Sequence, residues 1–108
     1  MLTFNQSVLE RRVPISGSYS TFPFEAGWAS EAVFFIQTEG PHPALRLQPE
    51  MSPDGMNWTP MEAASELAAN ASIRAVRLQN FANWLRLTIE GATQDDPATI
   101  LVHLSLKG

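Results

Sequence analysis

Hydrophobic and polar residues alternate with a period of two along much of this chain, most clearly in its second half. In Trp84–Glu90 (WLRLTIE), Leu85, Leu87 and Ile89 share one face, with Arg86, Thr88 and Glu90 on the other. Residues 99–107 (TILVHLSLK) repeat the pattern, setting Ile100, Val102, Leu104 and Leu106 against Leu101, His103, Ser105 and Lys107. Such alternation marks a strand with one face on a core. Residues 29–38 (ASEAVFFIQT) predict a strand dense in β-branched and aromatic residues, closed by Gly40-Pro41. Residues 72–78 predict another, and residues 13–22 one or two more around Gly17.

Ser52-Pro53-Asp54-Gly55 lies between two strand-like segments, residues 45–51 and 56–61, and predicts a hairpin with a tight turn. Proline sets the dihedral of the second turn position, Asp bonds its own backbone, and Gly supplies a positive φ. Before the turn, Leu45, Leu47 and Met51 face inward, with Arg46, Gln48 and Glu50 opposite. Residues 62–71 (EAASELAANA) are the only helix-like segment, too short to be stable alone, so a turn or two of helix or a loop is expected near 62–70. The sum is an all-β domain: an antiparallel β-sandwich, jelly-roll-like, with seven or eight short strands. No crossover helix is long enough for parallel topology. One domain spans 1–108, with 1–12 an N-terminal arm or edge strand.

Composition changes this picture in one respect. Only 17% of the 108 residues are charged, against about 25% in ordinary globular proteins. Either Ser, Thr, Asn and Gln fill the surface, or part of it is covered by another subunit. A net charge of −4 and the lack of a Lys/Arg run argue against nucleic acid as partner. With no cysteine, disulfides and thiolate chemistry are excluded. No apolar run is long enough for a membrane-spanning helix. The start, MLTFNQSVLERR, lacks the pattern of a signal peptide. A virion location is expected if the chain is phage-encoded, and a cytoplasmic one otherwise.

Candidate chemistry is thin. His42 and His103 lack convergent ligands or partners and read as surface or packing residues. Asp54-Gly55-x-Asn57 superficially resembles a calcium loop but lacks its remaining oxygen ligands, so Asp54 is better read as a turn residue and Asp95-Asp96 as a solvated loop. No catalytic residue, metal ligand or cofactor is expected. Trp28, Trp58 and Trp84 are the candidates for an interface or a sugar-stacking platform, with contact to core or subunit favoured over sugar. Trp84 is the best of the three, because it precedes inward-facing Leu85 on the opposite pleat. Arg46, Arg74, Arg77 and Arg86 lie on strand segments, and Arg46 and Arg86 in particular suit pairing with a partner's carboxylates.

The runs LRLQPEMSPDGMNWTPM, RAVRLQNFANWLRLTIEG and TILVHLSLKG resemble small β-sandwich accessory proteins of tailed-bacteriophage virions over Leu45 to Leu106. The resemblance implies a non-enzymatic head-decoration or tail-associated protein that binds a larger protein assembly such as a phage capsid or tail; a homo-oligomer is expected as well, with apolar and aromatic surface buried against neighbours. The alternative is a carbohydrate-binding β-sandwich module that uses an exposed tryptophan.

Overall fold

The computed structural model describes residues 4–61 and 64–108. Among the described residues there are ten strands and no helix: β1 (Phe4–Ile15), β2 (Tyr19–Ser20), β3 (Phe24–Glu25), β4 (Glu31–Glu39), β5 (Leu45–Ser52), β6 (Thr59–Pro60), β7 (Ser65–Leu67), β8 (Ile73–Gln79), β9 (Trp84–Glu90) and β10 (Ala98–Lys107). All strand pairs are antiparallel. Sheet A runs β1-β10-β4-β8. Sheet B has β9 and β5 at its centre, with β2 and β3 sharing the outer edge of β9 and β6 and β7 sharing that of β5. Counted by position, this makes two four-stranded sheets. Successive positions lie in opposite sheets at every step but one, β5 to β6/β7, and the ends of the chain pair as β1 and β10. This is a jelly roll.

The alternation in the sequence builds the core between the sheets. Phe34 and Ile36 of β4 and Ile100, Val102, Leu104 and Leu106 of β10 meet Leu45 and Leu47 of β5 and Leu85, Leu87 and Ile89 of β9, all essentially inaccessible to solvent. Each such side chain contributes about 1.5–3 kcal/mol relative to remaining exposed.

Three sequence expectations change. Residues 65–67, expected within a helical turn or loop, form strand β7. Leu67 pairs with Leu45 across the sheet edge and is buried, so pairing on an open edge overrides the alanine propensity of a segment too short for a stable helix. Glu62 and Ala63 lie outside the described residues. The hairpin also differs from a tight turn: residues 53–58 separate β5 from β6.

Proline explains why the β5 edge is shared. Pro49 accepts from Met61 N at 2.9 Å on that edge, so its missing N–H faces the same side, opposite the gap between β6 and β7. The Gln48 amide covers the gap, donating to Pro49 O at 2.9 Å and Met61 O at 2.7 Å. Gln48 is therefore buried, not outward in solvent as the alternation alone suggests.

Candidate interaction surfaces

The outer face of sheet B carries four of the five sequence-selected residues. Its polar side chains run in register across β5 and β9: Arg46 opposite Glu90, Gln48 opposite Thr88, Glu50 opposite Arg86 and Ser52 opposite Trp84. Arg86 Nε donates to Glu50 Oε1 at 2.7 Å, with both side chains largely covered. Thr88 Oγ1 donates to the same carboxylate oxygen, which leaves Ser20 Oγ to donate to Thr88 Oγ1 at 2.8 Å. The Arg86 guanidinium lies 4.3 Å from the centroid of the Trp58 ring, a cation–π stack. Arg46 pairs more loosely with Glu90 at 3.4 Å, and both side chains are about half exposed.

The loop after β5 is ordered by one carboxylate. Asp54 Oδ1 accepts from Met56 N, Asn57 N and Ser52 Oγ, each at 2.9 Å, and Oδ2 accepts from Asn57 Nδ2 at 2.7 Å. The backbone donors of Asn57 and Met56, then the Asn57 amide and Ser52 hydroxyl, hold this carboxyl well below the usual carboxylate range. Asp54 thus organises its own loop, as a turn residue does. Gly55 at φ +78° lets the loop lie on Trp84: a Cβ there would sit 3.3 Å from Trp84 Cδ2 and Cε2.

These placements separate the three tryptophans. Trp58 and Trp84 are half-buried on sheet B, the first under Arg86 and the second under Gly55. Trp28 is apart from them, 44% exposed in the loop before β4 and packed against Gly108. Arg74 and Arg77 lie on β8, an edge strand of sheet A, where exposed charge discourages edge pairing. The two histidines also part. His42 is 2% exposed, with Nδ1 at 2.6 Å from Pro43 O and Nε2 at 2.6 Å from Ala71 O, and its backbone N–H donates to Asn70 Oδ1 at 3.0 Å. It is a packing residue that ties residues 40–44 to residues 70–71. Among the described residues no group of three or more His, Cys, Asp or Glu side chains gathers as metal ligands would, and no helix is long and apolar enough to cross a membrane.

Sheet A presents a different outer face, which sequence reasoning did not single out. Val33 and Phe35 of β4, Leu101 and His103 of β10, Ile73 and Ala75 of β8 and Val8 of β1 all point outward. Val8 and Ile73 are 41% and 53% exposed. Val8, His103, Phe35 and Ala75 form one continuous cross-strand row. Two shallow depressions of about 450 Å³ flank His103. On the central strands β4 and β10, formal charge appears only at the ends, as Glu31, Glu39 and Lys107. The available signal was the run AVFFI in residues 32–36, apolar in both phases of the alternation, which implies a strand covered on both faces.

Comparison with known proteins agrees with this architecture. Residues 28–107 match the family described as Domain of unknown function (DUF6385), and the chain belongs to that family. No curated protein matches the sequence. Among solved structures, the PBSX exported protein XepA superposes with a TM-score of 0.72 at 16% identity, over 94% of this chain and 36% of that one. The structure of infectious bursal disease virus, Gx strain, superposes with a TM-score of 0.56 at 12% identity, over 98% of this chain and 32% of that one. The chain therefore spans about a third of each of these proteins, and at such identities the likeness is one of fold.

Proposed function

We propose that this chain is a non-enzymatic structural protein of a virus particle, an accessory of a phage capsid or tail that self-associates and seats on a larger protein assembly. The observation that carries the reading is the outer face of sheet A: a row of Val8, His103, Phe35 and Ala75 across four strands, apolar but for the histidine, with no formal charge on the central strands except at their ends. Apolar surface of this extent on a small domain marks a protein contact. The fold shared with the PBSX exported protein and with infectious bursal disease virus supports the same reading, as does the low overall charge. Contacts repeated over an array add through effective concentration, so each need be only moderate. Against the carbohydrate alternative, Arg86 covers one face of Trp58 and Gly55 lies on Trp84, which favours packing over sugar stacking.

Immunogold microscopy of particles released by cells that encode the chain tests this. Label at regular positions on heads or tails is expected; particles free of the chain, with all of it in the unsedimented fraction, would count against the reading.

A further inference from the structure

We infer that the outer face of sheet A is the surface through which two copies of this chain pair, about a two-fold axis parallel to the strands and lying between β4 and β10. The inference deepens the proposed self-association and rests on it. Its first ground is the contrast between the two outer faces. On sheet B, Arg86, Glu50, Thr88 and Ser20 satisfy one another, Arg46 is paired with Glu90, and the Trp58 ring is capped, which makes a finished solvent surface. On sheet A, Val8 and Ile73 are exposed and Phe35 partly so, no other element among the described residues lies over them, and Arg77 of edge strand β8 shares the face.

The second ground is size. Ten residues of β10 span ~34 Å and four strands ~19 Å, a footprint of roughly 650 Å² per copy. Two copies bury roughly 1,300 Å², inside the range of stable specific interfaces.

The third is self-complementarity, which a two-fold pair requires. Rotation about this axis lays β10 of one copy over β4 of the other and β1 over β8, keeping each cross-strand row in place. Glu31 and Lys107 occupy one row, so each lysine falls over the second copy's glutamate, twice per dimer. His103 and Phe35 occupy another, so ring meets ring near the axis, and Val8 of that same row falls over Ala75. Facing sheets with strands nearly aligned are an ordinary packing mode.

Sedimentation velocity across a concentration series tests the pairing. A reversible dimer is expected, weakened by about tenfold or more in Val8→Glu and in Phe35→Glu, while Arg46→Ala on the opposite sheet leaves it unchanged. Val8 lies on an edge strand and is partly exposed, so its variant guards against misfolding at Phe35; unchanged urea midpoints verify the fold. Lys107→Glu should weaken the dimer, and Lys107→Glu with Glu31→Lys should restore it. A dimer indifferent to Val8→Glu and Phe35→Glu overturns the surface while leaving self-association standing. Failure of the double exchange to restore pairing overturns the axis. A chain monomeric up to about 1 mM removes both this inference and the self-association on which it rests.

Discussion

Arg86 and Trp58 are stacked on the outer face of sheet B, the guanidinium carbon 4.3 Å from the ring centroid, while Arg86 Nε holds Glu50 at 2.7 Å. Removing Arg86 uncovers the indole and leaves a carboxylate, whose side chain is only 17% exposed, with Thr88 as its remaining side-chain donor. Arg86→Ala should lower the unfolding free energy by about 1–3 kcal/mol. Arg46→Ala, at a looser and solvent-screened pair, should cost less than about 0.5 kcal/mol. Urea denaturation measures both, and equal losses would contradict the distinction. Arg86→Lys keeps the charge but loses the planar stack, so an intermediate value is expected.

Asp54 makes stability depend on acid. Its folded carboxyl titrates below the ordinary value because backbone and side-chain donors favour the ionised form. A depressed group contributes stability fully above the unfolded pKa, about 3.9 for Asp, and loses it as pH falls through the folded pKa. Asp54→Ala should therefore show its largest deficit in urea midpoint near neutrality, shrinking toward the wild type below about pH 4. A deficit constant from neutrality to strong acid would show that the lost contacts do not depend on ionisation.

Gly91 fixes the exit from β9. Its φ is +121°, and a Cβ there would lie 2.4 Å from the Ala44 carbonyl oxygen, backbone that has no rotamer with which to yield. Gly91→Ala should destabilise by about 2 kcal/mol or more. At Gly17 a Cβ would meet open space among the described residues, so Gly17→Ala should be near neutral. Thermal unfolding of the two variants side by side distinguishes local strain from a general penalty on losing glycine.

What the chain determined by itself was the longer strands and most of their inward residues. Alternation at 84–90 and 99–107 placed Leu85, Leu87, Val102 and Leu104 correctly, because a pleat sends successive side chains to opposite faces whatever the neighbouring strand. It also determined that Asp54 and Gly55 belong to a turn, since their chemistry is local. Tertiary structure alone decided which strands are neighbours. The β7 segment illustrates this: its alanine-rich sequence leans toward helix, but only the open edge of β5 makes a strand the better use of Leu67. Pairing also decided which outward residues are satisfied. Arg86 and Phe35 both lie on outward phases, yet register sets one beside Glu50 and the other in a row with His103 and Ala75. The reason is that a period of two specifies faces, while partners depend on the register between strands far apart in sequence.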